Sequence, residues 1–173
     1  MSDFKRLSRS VKGLTVLVTG AASGMGRATA LVFAADGANV AVTDISAEAT
    51  QAVADEIAAS GGAAKAWTLD VADRDDITAV VDDVAAHFGG LDIVVNNAGI
   101  SVRVAIDDDG YDEAWAKAIG RHADGASSAS SALHCRYLRK SKSPRIVNIA
   151  STEALGATAL HSPYSAARPA SSA

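Results

Sequence analysis

Residues 14–26 read Leu14-Thr-Val-Leu-Val-Thr-Gly-Ala-Ala-Ser-Gly-Met-Gly26, and the fold turns on this stretch. Its first six residues are a short, β-branched apolar run stopped by glycine, the mark of a buried strand. Glycines follow at 20, 24 and 26. An alanine-rich stretch with Leu31, Val32 and Phe33 then closes at Asp36-Gly37 and predicts a helix over Met25 to Ala35 with a glycine stop. Glycines between a strand and a helix let the backbone turn sharply and approach a pyrophosphate, whose charge sits at the helix N-terminus. A glycine loop alone says little; this placement gives it meaning.

The same alternation continues outward. Asn39-Val-Ala-Val-Thr43 reads as a second strand, and Ser46 can cap a helix running to about Ala59, ended by Ser60-Gly61-Gly62. Ala64 to Leu69 is a third strand. Asp73 or Asp75 opens a helix with Ile77, Val80, Val81 and Val84 on one face, ended by Phe88-Gly89-Gly90. Leu91 to Val95 and Arg145 to Ile149 complete five strands. Strands alternating with helices of about a dozen residues imply right-handed βαβ units and an α/β fold with a doubly wound, Rossmann-like parallel sheet. The near-continuous apolar character of the strands fits helices on both faces. A full sheet of this kind has six strands, so the expectation is one dinucleotide-binding domain over residues 1–173, incomplete at its C-terminus.

Composition narrows the function classes. The 173 residues suit one domain, and sixteen Lys and Arg against twenty Asp and Glu give a net charge of −4, which argues against a general nucleic-acid binder. One cysteine, Cys135, excludes an internal disulfide framework and a cysteine-based zinc site. No apolar run reaches the ~20 residues of a membrane span, and the polar start is not that of a signal peptide, so a cytoplasmic protein is expected. Only eight residues are aromatic against 38 alanines, so the elements must pack closely. Asp107-Asp108-Asp109 reads as a solvated loop rather than a metal cluster, since consecutive residues converge poorly on one ion. Trp67 and Trp115 read as packing residues, and His161, near where a substrate would sit, as a bystander.

Asp44 ends the second strand, 18 residues after Gly26. A carboxylate there can bond both hydroxyls of an adenine ribose and would repel a 2′-phosphate, which favours NAD over NADP; the alternative is that it caps the next helix. With these residues in place the chain resembles the short-chain dehydrogenase/reductase family. Thr-Gly-x-x-x-Gly-x-Gly over Thr19–Gly26, Leu69-Asp70-Val71, Asn96-Asn97-Ala98-Gly99 and Ile146-Val-Asn-Ile-Ala-Ser151 match its motifs, with Tyr164 thirteen residues after Ser151. The match covers about residues 11–118 and 138–167.

The resemblance implies NAD-dependent hydride transfer involving a secondary alcohol or ketone, with no nucleic-acid or membrane partner. Tyr164 would be the acid/base and Ser151 would bind the substrate oxygen. Gly20, Ser23, Gly24, Met25 and Gly26 would cradle the pyrophosphate. Asp44 would hold the ribose, Asp70 and Val71 the adenine, and Asn97, Ala98 and Gly99 the floor beside it. The alternative is a catalytically inactive NAD-binding fragment.

Two positions depart from the family pattern. Arg168 stands where the family has a lysine, and Pro169 after it disfavours helix for the preceding residue. His122 stands where the family has an asparagine, inside the stretch Gly120 to Arg136, which lacks the apolar face a helix there should show. The family's interface helices are damaged too, so its homo-oligomer is not carried over. Residues 120–136 and those from 168 read as translated out of frame. The coding DNA, read in all frames, is expected to restore an apolar helix, an asparagine near 122 and a lysine at 168; the absence of any such frame overturns this.

Overall fold

The computed structural model describes residues 9–101, 103–119, 135–154, 156 and 158–167. Five parallel strands, β1 (Thr15–Thr19), β2 (Asn39–Asp44), β3 (Ala63–Thr68), β4 (Ile93–Asn96) and β5 (Arg145–Asn148), form one sheet in the order β3-β2-β1-β4-β5. The order reverses between β1 and β4, which leaves a crevice at their C-terminal ends. Helices α1 (Gly24–Ala35), α2 (Ala47–Ala59), α3 (Arg74–Phe88), α4 (Tyr111–Ile119) and α5 (Ser162–Ala167) complete the described elements, with a 3-10 turn at Thr152–Ala154. The doubly wound sheet expected from the sequence is present.

Alternation along the strands divides the core in two. Val16 and Val18 join Val40, Val42, Ala30, Ala34, Val53 and Ile57 on the face covered by α1 and α2. Leu17 and Val94 join Val80, Val81, Val84 and Leu91 on the face covered by α3. Alanines on α1 and α2 keep these helices close to the sheet. Each residue of β1 is buried, whereas the edge strand β3 alternates and β5 is largely exposed, with Ile146 and Val147 about 40% accessible. Coverage on both faces thus holds for the centre of the sheet and not for its edges.

The helix ends follow their capping residues. The Ser46 hydroxyl accepts from the Ala49 N–H at 3.4 Å, so α2 is capped by Ser46 and not by Asp44. Asp73 caps α3, accepting from the N–H groups of Asp75 (2.9 Å) and Asp76 (3.2 Å), and Gly89 closes it in the left-handed conformation. Where description resumes at 135, a helical turn sends Leu138 into the α3-side core. The Tyr137 hydroxyl donates to Asp82 at 2.7 Å, and this bond to a carboxylate raises its pKa above the ordinary phenol value. Arg136 pairs with the same carboxylate. Trp67 packs edge-on against His87 and Phe88, and Trp115 lies against Tyr111. Asp107–Asp109 lie on an exposed turn in which Asp108 accepts from the Gly110 N–H at 2.8 Å.

Leu17 is completely buried at the centre of the sheet. Leu17→Ala should cost about 3 kcal/mol, from lost transfer energy plus a residual cavity, read as a lower urea midpoint with an unchanged slope.

Candidate functional site

The exits of β1 and β4 are bonded to each other at the point where the sheet order reverses. Thr19 is buried, and its Oγ1 accepts from the N–H groups of Asn97 (3.1 Å) and Ala98 (3.0 Å). Asn97 Nδ2 donates back to the carbonyls of Thr19 (3.0 Å) and Gly20 (3.1 Å). This reciprocal clamp presses the Asn96–Gly99 segment onto the glycine loop so closely that side chains are excluded. A Cβ on Gly20, whose φ is +65°, would lie 2.8 Å from the Ala98 Cα; one on Gly26 would overlap the Gly20 carbonyl and come within 2.5 Å of Asn97 Nδ2. Gly24, at φ +52°, starts α1 in a conformation that glycine adopts without strain.

At the start of α1 the N-cap is Ser23, whose hydroxyl makes no capping bond, and the first turn holds no acidic residue. The first N–H groups of the helix are therefore not capped by Ser23 or by an acidic residue of the first turn. Met25, in that first turn, is 67% exposed. Beside it, the Asp44 carboxylate at the tip of β2 accepts from the Ala22 N–H at 3.1 Å and from the Ser46 N–H at 3.4 Å. A carboxylate has about four acceptor sites, so two remain for a ligand.

Gly20, Asp44, Ile45, Leu69, Asp70, Val71, Ala98, Gly99 and Ile100 line one open cleft across the ends of β1 to β4. Six residues singled out from the sequence thus share one wall-to-wall cleft, and Ser23 to Gly26 flank it along the chain. Asn97 is the exception: its side chain is spent holding the loop. Ile45 and Ile100 were not foreseen; each follows a predicted residue on the chain and adds an apolar wall. Asp70 is fixed from α3, whose Asp76 accepts the Asp70 N–H at 2.7 Å.

A second group lies beyond β5. Ser151 lies three residues past the end of the strand, half-buried, and its Oγ accepts from the Glu153 N–H at 3.3 Å. Tyr164 is half-buried on α5 with its ring edge-on to His161, centroids 6.3 Å apart. The Tyr111 and Ser162 hydroxyls lie 3.0 Å apart and tie α4 to α5. Glu153 was missed by sequence reasoning. It accepts from Thr158 and Ser165, and these bonds, the Thr158 hydroxyl first, hold its pKa below the ordinary carboxylate value. No motif signals it, because its partners lie five and twelve residues further on. His122 and Arg168 lie outside the described residues.

Thr19→Val keeps the shape at the clamp but strands two N–H groups. It should cost about 2 kcal/mol or more in urea denaturation. Gly26→Ala should be destabilising as well, because the loop must shift to admit the Cβ, and the same denaturation reads this.

The chain matches the family model for short chain dehydrogenase over residues 14–172. D-threitol dehydrogenase of Mycolicibacterium smegmatis is 36% identical over 156 residues, 90% of this chain and 59% of the relative. Among solved structures, a short chain dehydrogenase from Mycobacterium avium superposes with a TM-score of 0.84 at 37% identity, covering 93% of this chain and 60% of that one. An NAD+-bound xylitol dehydrogenase gives 0.87 at 28% identity, covering 94% and 62%. The chain thus spans about three fifths of the length of these proteins. With its clamped glycine loop and the motifs around it, this chain belongs to the short chain dehydrogenase family.

Proposed function

We propose that the chain carries the nicotinamide-binding and oxygen-handling parts of an oxidoreductase acting on a secondary alcohol or the corresponding ketone. The observation that carries this reading is the glycine cradle: Gly20 and Gly26 leave space that a Cβ would fill, beside an α1 N-terminus capped neither by Ser23 nor by an acidic residue of the first turn. That combination fits a pyrophosphate. Ser23, Gly24, Met25 and Gly26 would hold it, with the adenine between Ile45, Asp70, Val71 and Ala98.

NAD rather than NADP follows from Asp44. Its carboxylate would accept from both ribose hydroxyls and repel a 2′-phosphate. Arg27, a cation close by in sequence, is engaged by Glu56 through its Nε at 3.0 Å and Nη2 at 2.5 Å. The NAD+-bound xylitol dehydrogenase and the threitol dehydrogenase support this cofactor and an alcohol substrate. Relatives named as dehydrogenases do not favour the inactive-fragment reading. A cytoplasmic setting, with its nicotinamide pool, goes with the function.

When bound, the nicotinamide accepts or supplies the hydride. The protein's own part is the proton. Ser151 Oγ accepts from the Glu153 N–H, so its proton is directed away from that bond and can be donated to the substrate oxygen. Tyr164 takes the proton from the alcohol during oxidation, or gives it to the ketone oxygen during reduction. A tyrosine does this near neutral pH only when a cation favours the tyrosinate. Arg168, which stands where the family places its lysine, lies outside the described residues.

Turnover of NAD with a panel of secondary alcohols, followed by the absorbance of the reduced nicotinamide, tests the reading. Tyr164→Phe should lower kcat about a hundredfold or more with NADH affinity unchanged. Equal rates in both proteins overturn it. Asp44→Ser should shift cofactor preference toward NADP about tenfold or more.

A further inference from the structure

Ser151 and Tyr164 stand on different pieces of chain. Ser151 is on the exit of an edge strand, and Tyr164 is on a helix described over Ser162–Ala167. Between them Leu160 adopts a φ of +69°, an uncommon conformation for a leucine. Something must hold this segment in place, and one carboxylate is bonded to both ends of it, at Thr158 and Ser165. Glu153 Oε2 accepts from the Thr158 N–H at 2.9 Å and from Ser165 Oγ at 3.0 Å, while Oε1 accepts from Thr158 Oγ1 at 2.5 Å. Ser165 is the residue after Tyr164 and is 8% exposed. Thr158 in turn accepts the His161 N–H at 3.1 Å, and the His161 carbonyl accepts from the Ser165 N–H at 2.8 Å. The backbone N–H of the same Glu153 bonds Ser151 Oγ at 3.3 Å.

We propose that Glu153 is a positioning residue: its side chain latches the Tyr164 helix to the Ser151 turn, while its N–H orients the Ser151 hydroxyl. The proposal rests on the reading of Ser151 and Tyr164 as the oxygen-handling pair. A charged acceptor makes stronger hydrogen bonds than a neutral one, so three bonds to one carboxylate are a firm tie even near the surface. None of Ser151, Glu153, Thr158 and Ser165 lines the cleft at the exits of β1 to β4. Loss of the latch therefore changes the chemistry and leaves cofactor binding as it was. His161 is the titratable group whose charge acts on Glu153. Because Thr158 and Ser165 hold the Glu153 pKa low, the latch is complete above the ordinary carboxylate range and is lost as pH falls through the lowered value.

The test compares the unaltered chain with Glu153→Ala, Glu153→Gln and Tyr164→Phe, using NAD with cyclohexanol and amide hydrogen exchange over 162–167. Glu153→Ala should lower kcat about tenfold, with KM and NADH affinity within about twofold. Exchange at 162–167 should speed up, with β1 and α1 unchanged. Glu153→Gln, which keeps a carbonyl acceptor, should recover part of kcat and abolish the acid-side loss of protection. Unchanged kcat in Glu153→Ala, or a parallel fall in NADH affinity, overturns the proposal. Where the unaltered chain turns over no faster than Tyr164→Phe, the oxidoreductase reading fails. The latch is then judged by exchange, and equal protection in Glu153→Ala overturns it.

Discussion

A set of hydrogen bonds between the ends of β1 and β4 fixes the geometry on which the cleft depends. Thr19 and Asn97 each satisfy the other's segment, side chain to backbone in both directions. The two strands are neighbours in the sheet but far apart in sequence, and β4 is where the sheet order reverses. Bonding their exits sets how deep the crevice is and how close the Asn96–Gly99 backbone comes to the glycine loop. Glycine at 20 and 26 is then a consequence: the clamp leaves no room for a Cβ. The loop's shape is imposed by a partner about 77 residues away as well as by its own flexibility.

Asp44 ties β2 to this assembly. One of its oxygens accepts from Ala22 in the glycine loop and the other from Ser46 at the start of α2. It supports the loop and also offers acceptors to the cleft. Its substitution therefore has two effects together, a change of charge in the cleft and a looser loop. The two separate by chemistry: charge alters the preference between cofactors, whereas loop support alters the affinity for both.

The central architecture was legible because each device that builds it is local. Strand β1, the glycine loop and α1 are contiguous, so their order could be read directly. Ser46 and Asp73 cap within three residues, and Gly89 ends α3 where it stands. Buried strands are apolar through their middles, and β1, β2 and β4 obey this. Legibility ended where partners are distant or residues do two jobs. Asn97 matched a motif, but only the structure shows that its amide is spent on the loop carbonyls. Glu153 has an ordinary local context, and its role exists only once the chain folds back through Thr158 and Ser165. The exposure of β5 depends on what lies beside it, which its own four residues do not encode.

The two halves of the site are therefore held by different physics. The cradle sits at the centre of the sheet, between buried strands and core on both faces, and opening it means disrupting the fold. The Ser151–Tyr164 group sits beyond an exposed edge strand, where bonds to one carboxylate and the Tyr111–Ser162 hydroxyl pair add to the packing of the Tyr164 helix. Local opening draws on the least buried contacts first, so this half has the lower barrier to rearrangement. A chain of this design can keep its glycine loop while the Ser151–Tyr164 group loosens. Binding and turnover are then separable properties, and each must be measured in its own right.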